Sequence, residues 1–387
     1  MRIVMSADRF YPAQMGGPGN TIYWQAKTLM KAGHDVTVVA TSQDLPTSVP
    51  LDCWLKLDCG RVIYTKNMHF YLPLKHIWYG LLAIRKADVV HVNSLFYPAS
   101  LVWIIMCRLL GKPVVWSPHG ELSAVALRFR PRLKRLLLNI FRWCSSEVWF
   151  HATCAEEKNQ IQHYFGSSIM VNEIRTMMEL PVLAVRVARL YLLFMGRLHP
   201  IKAIDRLLEA LSTSKLFRES NYSLQIAGSD SDKGYTKKLN ELVLTLGLSA
   251  KVSFIGTVQG ERKEQLYADA HLLILPSHSE NFGNVVIESL AQGTPVMAST
   301  NTPWQVLDEE RVGRWVSNDS ASLRQAIEEF LTMPSAQYDL YRVRALCLAQ
   351  RDYDISAKSA VWVDFYKGVL TRKAPAIYGL YPAKNTR

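Results

Sequence analysis

Two glutamates eight positions apart, Glu280 and Glu288, stand in the run Pro276-Ser277-His278-Ser279-Glu280-Asn281-Phe282-Gly283-Asn284-Val285-Val286-Ile287-Glu288. An apolar run ends just before it, and an apolar helical pattern follows as far as Gly293. The stretch therefore reads as strand, polar turn and helix. Backbone N–H groups around Asn281, Phe282, Gly283 and Asn284 would be unpaired at the helix N-terminus, which suits phosphate or sugar oxygens. Glu280 in the loop and Glu288 about one turn into the helix can accept hydrogen bonds from two separate hydroxylated parts of one ligand. The competing reading is an ordinary capped helix with an exposed Glu288, and the spacing alone does not decide between them.

A second run, Phe194-Met195-Gly196-Arg197-Leu198-His199-Pro200-Ile201-Lys202, reads as a strand, a glycine turn and two cations five residues apart. Arg197 and Lys202 could converge on a departing pyrophosphate through charge-assisted hydrogen bonds, or stand as solvated surface cations. Cations fixed where negative charge develops favour such a departure. Near the N-terminus, Met15-Gly16-Gly17-Pro18-Gly19 follows the first strand and permits close backbone approach to a ligand, although Gly-Pro-Gly is also a common turn. It lacks the G-x-G-x-x-G spacing of dinucleotide loops. His119, in Ser117-Pro118-His119-Gly120-Glu121 just past an apolar strand, can reach a ligand or serve as a hydrogen-bonded structural histidine. His91, His151 and His278 read as structural. Asp230-Ser231-Asp232 and Asp352-Tyr353-Asp354 match a short metal-binding pattern that recurs by chance, so no metal ligands are expected.

Glu280…Glu288 with Asn281-Phe282-Gly283 between them and Gly293-Thr294-Pro295-Val296 after resembles the signature of retaining GT-B glycosyltransferases, particularly glycosyltransferase family 4. The resemblance implies that Glu280 contacts the donor sugar and Glu288 the ribose hydroxyls, with amides at Phe282-Gly283 serving sugar and phosphates. It places Arg197 and Lys202 on the leaving diphosphate, Gly16 and Gly17 beside the donor phosphate and acceptor, and His119 on the reacting sugar. The catalytic set implied is thus His119, Arg197, Lys202 and Glu280; the substrate-binding set is Gly16, Gly17, Asn281, Phe282, Gly283 and Glu288. Two positions depart from the family pattern. Ala203 stands where a glycine commonly follows the lysine, and Ile174 to Pro181 lacks the usual Pro-Asn-Gly of the interdomain segment.

Short β-branched runs alternate with helical stretches along the whole chain, the rhythm of doubly wound α/β domains with parallel sheets. The expected fold is GT-B: a Rossmann-like acceptor domain over residues 1–180, a Rossmann-like nucleotide-sugar domain over 188–355, a closing helical segment 356–372 and a flexible tail 373–387. Ligands of such sheets bind beyond the carboxyl ends of the strands, in a cleft that the two domains would share. Met1 to Ser6 reads as a first strand rather than a signal peptide. The best apolar stretch, Ser100 to Trp116, is interrupted by Arg108 and Lys112, so no membrane span is expected. Six scattered cysteines without a C-x-x-C pair suggest reduced, structural thiols and a cytoplasmic location.

A net charge of +12 calls for nucleic acid, an anionic membrane or a phosphorylated substrate as partner. No acidic residue lies between Glu121 and Glu147, whereas Arg128, Arg130, Arg132, Lys134, Arg135 and Arg142 crowd that stretch among leucines. Residues 128–143 therefore read as a basic amphipathic helix lying on an anionic membrane, or as a packed helix with solvated arginines. The expected activity is a retaining, metal-independent hexosyl-type transfer from a nucleotide-diphosphate sugar, with no separate cofactor. The acceptor would be a glycan or lipid-linked intermediate of surface polysaccharide or lipopolysaccharide synthesis at the inner face of the cell membrane. The alternatives are a sugar-nucleotide epimerase or hydrolase on the same fold, and a basic nucleic-acid-binding protein, for which no recognition signature is present.

Overall fold

The computed structural model describes residues 1–13, 17–128, 130–230 and 234–371. Gly16, Asp232 and the tail 373–387 lie outside the described residues. The chain forms two compact units, one made of 1–178 together with the segment from 355 onward, the other of 179–354.

The first unit is built on eight strands: β1 (Arg2–Ala7), β2 (Asp35–Thr41), β3 (Trp54–Leu57), β4 (Gly60–Thr65), β5 (Val89–Asn93), β6 (Val114–Ser117), β7 (Val148–Ala152) and β8 (Met170–Glu173). Their order is β3-β4-β2-β1-β5-β6-β7-β8, parallel throughout except for the β3–β4 hairpin. The interior strands are almost wholly buried, because helices cover both faces and leave no solvated side for polar alternation. On one face lie α2 (Leu74–Ile84), α3 (Pro98–Leu109), α5 (Pro131–Cys144) and α6 (Ala155–Phe165), whose Ile84, Trp103, Ile104, Phe141 and Phe165 share one core. On the other, α1 (Gly17–Lys31) packs with the C-terminal helix Ser359–Thr371 through Ile22, Ala26, Trp362, Phe365 and Tyr366.

Residues 128–143 do not form one continuous helix. A short helix, α4 (Ala124–Arg128), ends at the segment's first residue, and α5 starts at Pro131. The residue before a proline is disfavoured in the right-handed helical region, and Arg130 sits at φ 55°, ψ 54°. The leucines of α5 also divide between two faces: Leu138 and Phe141 are buried, whereas Leu133, Leu136, Ile140 and Trp143 are exposed.

A polar relay crosses the first core. His151 Nε2 lies 2.8 Å from the Ile174 carbonyl, which only accepts, so this nitrogen carries the proton. His151 Nδ1 must then accept from Ser117 Oγ at 2.8 Å, and Ser117 in turn accepts from His91 Nε2 at 2.6 Å. His91 Nδ1 accepts from the Tyr366 hydroxyl at 2.6 Å, and that oxygen accepts from Gln25 Nε2 at 2.9 Å. Every donor points the same way along the chain of bonds, and both histidines are neutral. The relay pins the C-terminal helix to the sheet of the first unit, across more than 270 residues of sequence.

The second unit carries β9 (Tyr191–Met195), β10 (Ser223–Ala227), β11 (Val252–Gly256), β12 (Leu272–Leu275), β13 (Val296–Ser299) and β14 (Gly313–Val316), all parallel in the order β11-β10-β9-β12-β13-β14. Its helices are α7 (Ile204–Thr213), α8 (Lys215–Glu219), α9 (Tyr235–Thr245), α10 (Gly260–Asp269), α11 (Asn284–Ala291), α12 (Val306–Glu309), α13 (Ser320–Leu331) and α14 (Ser335–Leu348). Strand order reverses between β9 and β12, so the loops after these two strands diverge to opposite faces and leave a crevice at their carboxyl ends. At the tip of β10, Gly228 lies so close to Gly196 that a Cβ would fall 1.7 Å from the Gly196 carbonyl oxygen. No helix among the described residues is long and apolar enough to cross a membrane.

Burial depresses the pKa of His76 to about 3 and of His151 to about 4, and that of His91 well below its usual value. The unfolded chain therefore binds protons below about pH 6.5 that the folded chain refuses, and stability falls with falling pH by up to about 1.4 kcal/mol per pH unit per histidine. Glu121 acts oppositely. Burial raises its carboxyl from 4.5 to about 7, so between those values the folded chain holds a proton the unfolded one lacks. Burial also lowers His119, to about 4, and His34, and raises Asp8; the lowered histidines outnumber the raised carboxyls, which predicts a lower urea midpoint for the first unit at pH 5 than at pH 7. An equal or higher midpoint at pH 5 would contradict these protonation states.

Candidate functional site

The loops after β9 and β12 hold most of the residues singled out by sequence. Lys202 closes a short 3-10 turn, Pro200–Lys202, in which His199 Nδ1 accepts from the Ile201 amide at 3.1 Å. The two loops are tied by a backbone bond from His278 to Ile201 at 2.8 Å. Lys202 Nζ is in direct contact with the Glu280 carboxylate, and the two side chains are only 12% and 17% exposed. A pair so far removed from water makes each partner costly to lose, about 3–5 kcal/mol for an uncompensated charge. Arg197 is exposed and makes no side-chain hydrogen bond or ion pair among the described residues. It remains available to a ligand.

Gly283 caps α11 at φ 88°, a conformation few side chains adopt, and a Cβ there would press on Leu275 and on Glu280 Cγ. Phe282 is buried against Trp304, its ring centroid 4.9 Å from the indole, and its carbonyl accepts from Trp304 Nε1. The loop is thereby anchored while Asn281 stays partly open. Glu288, in the second turn of α11, accepts from Lys263 Nζ at 2.6 Å and from the Tyr267 hydroxyl at 2.7 Å. Lys263 and Tyr267 lie four residues apart on α10 and so share one face of it. Each Glu288 oxygen keeps a lone pair for a ligand hydroxyl. Burial and the neighbouring Glu288 charge hold the Tyr267 phenol well above its usual pKa, so it stays a donor.

Ala203, the departure from the family pattern, sits at φ 50°, ψ 40° and is fully buried. The position demands the left-handed region, which explains why glycine is common there.

In the first unit, α1 begins at Gly17. His119 follows β6 at φ 51°, another strained position. Asn93, at the tip of β5, donates from Nδ2 to the Ser6 carbonyl at 2.8 Å, which turns its Oδ1 toward His119 Nε2, also at 2.8 Å. Nε2 therefore carries the proton, and Nδ1 keeps its lone pair without a partner among the described residues. Burial lowers the His119 pKa to about 4, keeping the ring neutral. Two carboxylates frame the turn. Glu157 accepts from the Gly120 amide at 2.5 Å and from Thr153, and Glu121 accepts from Ser94 Oγ at 2.8 Å and from the Leu95 and Phe96 amides. Asn93, Glu157, Lys263 and Tyr267 escaped the sequence reading, because their partners are remote in sequence; only the Lys263–Tyr267 spacing gave a signal.

Of the two D-x-D matches, Asp352 is buried and paired with Arg351 at 2.7 Å. Asp232 lies outside the described residues.

Known proteins match both halves. A family profile described as "Glycosyltransferase Family 4" matches residues 15–172, and one described as "Glycosyl transferases group 1" matches 181–342. An uncharacterized glycosyltransferase of Methanocaldococcus jannaschii is 27% identical over 345 residues, 82% of this chain and 85% of that one. Among solved structures, the sucrose-phosphate synthase of Thermosynechococcus elongatus superposes with a TM-score of 0.79 at 18% identity, covering 96% of this chain and 100% of that one. The Anabaena protein HepE in complex with UDP-glucose gives 0.75 at 16%, covering 95% and 99%. Two doubly wound parallel sheets with these neighbours define the fold as GT-B. The chain belongs to the group 1 glycosyltransferases.

Two measurements test the geometry. Ala203→Gly relieves the left-handed strain and is expected to stabilise the protein by about 1 kcal/mol in urea titrations, with no gain overturning the assigned backbone. Asn93→Asp sets a carboxylate against His119 Nε2 and is expected to raise the His119 pKa from about 4 to above about 5 in an NMR titration. An unmoved titration would show that Asn93 does not hold the ring.

Proposed function

We propose that this glycosyltransferase moves a hexosyl-type group from a nucleotide-diphosphate sugar to a lipid-linked surface-glycan intermediate, with retention of anomeric configuration and without a metal ion. The observation that carries the reading is the pairing of Lys202 with Glu280 at the point where the second sheet reverses its strand order, with Arg197 of the same β9 loop exposed. In this reading Arg197 and Lys202 take the diphosphate, Glu280 the sugar hydroxyls, Glu288 the ribose hydroxyls, and the amides after Asn281 the remaining oxygens. His119 offers Nδ1 to a sugar hydroxyl. The bond from the anomeric carbon to phosphate breaks while the acceptor oxygen bonds to the same face of that carbon. The acceptor proton passes to the departing phosphate oxygen, so no side chain acts as nucleophile. Preorganised cations at the leaving group supply the main stabilisation. HepE, in complex with UDP-glucose, supports a nucleotide-sugar donor. The basic residues of 128–143 support an acceptor at the inner face of an anionic membrane.

A thermal-shift screen of nucleoside diphosphates and their sugars identifies the donor, since a ligand of the native state raises the melting temperature. With that donor, Lys202→Ala is expected to lower kcat by about 100- to 1,000-fold, while Glu288→Gln chiefly raises KM. No melting shift with any nucleotide sugar would remove the reading. Turnover without any acceptor would favour the epimerase or hydrolase alternative.

A further inference from the structure

The positive charge of this chain is concentrated in one stretch. Residues 59–146 hold thirteen lysines and arginines against two carboxylates, Asp88 and Glu121, a net +11 out of the chain's +12. Both carboxylates are engaged internally, Asp88 by Arg2 and Glu121 by the 94–96 backbone and Ser94. That stretch contains α2, α3 and α5, which lie side by side on one face of the first sheet and bury into a common core.

Their outward sides are apolar. On α2, Leu74, Trp78 and Leu82 recur every four residues and are 61%, 60% and 39% exposed. On α3, Ile105 and Leu109 do the same, and on α5 Leu133, Leu136, Ile140 and Trp143 form a third exposed stripe. Since all three helices bury toward one sheet, their opposite sides make a single outer layer. Two contacts join it: the Arg108 guanidinium of α3 lies 5.7 Å over the Trp143 ring of α5, and Arg130 donates to the Tyr71 hydroxyl. Tyr71 belongs to a strap ahead of α2 in which Met68, Phe70, Tyr71 and Leu72 are all more than half exposed. An apolar surface this extended is unusual for a protein with no partner.

We infer that α2, α3, α5 and the strap 68–72 form one face that seats on an anionic lipid bilayer, with the apolar stripes in the headgroup–acyl boundary and the cations against lipid phosphates. This rests on the membrane-side acceptor proposed above and extends the contact from one helix to four elements. Charge complementarity selects the occupant. Apolar stripes alone would suit a protein partner, but Arg132, Lys134, Arg135 and Arg142 of α5, with Arg108 beside the exposed Trp143, suit an anionic interface. Arg108 over Trp143 pairs a headgroup ligand with an interfacial anchor.

The test is vesicle flotation of the full chain, using phosphatidylcholine alone or with about 30 mol% phosphatidylglycerol, at about 0.1 M and about 0.5 M salt. The expected result is binding to the anionic vesicles only, persisting in part at high salt, where charge attraction is screened and apolar insertion is not. Trp78→Ser/Leu109→Ser/Trp143→Ser is expected to reduce the high-salt binding at least about tenfold. All three side chains are exposed, so an unchanged melting temperature verifies folding; Leu74→Ser/Leu136→Ser repeats the test on other members of the face. If the wild type floats while both variants float equally at high salt, the face is wrong but the membrane reading stands. If the wild type does not float on anionic vesicles, both fall. If the substitutions instead dissolve a dimer in sedimentation without lipid, the face is a protein interface and the inference is overturned.

Discussion

A parallel sheet covered by helices on both faces leaves polar chemistry few places to go. Each strand interior must be apolar, and every strand ends at the same edge, so functional side chains collect in the loops there. In the second unit that edge brings the loop after β9 against the loop after β12 and sets Lys202 on Glu280. In the first, it places Asn93 and His119 at the tips of neighbouring strands. The left-handed backbone at Ala203, Gly283 and His119 lies in these same loops. Ala203 and Gly283 turn their loops into α7 and α11, His119 turns the chain just past β6, and the surrounding packing holds the left-handed conformation.

The exception to apolar interiors is informative. His91, Ser117 and His151 sit inside the first sheet, yet every one of their polar atoms with a defined role meets a partner, and the bonds run in one direction from Gln25 to the Ile174 carbonyl. Such a network is stable only when complete, because a half-satisfied buried polar group is more costly than an apolar one. Tyr366 completes it from the far end of the chain. The C-terminal helix is therefore part of the first unit's core.

Much of this was legible from residue order. Most strands of both sheets announced themselves as short apolar runs, and the loop from Pro276 to Gly283 was visible as strand, turn and helix. Lys202 and Glu280 were expected in one place and are in contact. What escaped reading depends on partners distant in sequence. Nothing local reveals that Tyr366 bonds His91, that Asn93 orients His119, or that Lys263 and Tyr267 hold Glu288. β3, β8 and β14 were missed because edge strands need less hydrophobicity than buried ones, and the buried β4 was missed with its hairpin partner. The segment 128–143 was legible as a basic amphipathic helix, which α5 forms from Pro131 onward; how its apolar residues divide between a buried face and an exposed one was not.

The division into two units also divides the charge. Residues 179–354 hold nineteen lysines and arginines against twenty-one carboxylates, close to neutral, so nearly all the excess positive charge belongs to the other unit. In the proposed function, a diphosphate approaching the second unit would meet no long-range attraction there and would depend on a few cations at contact distance. The first unit, by contrast, projects a field over a Debye length of about 8 Å at physiological salt. In the proposed function, ionic strength would thus act unevenly on one molecule, weakening a hold on an extended anionic surface well before it loosened a phosphate from Lys202 and Arg197.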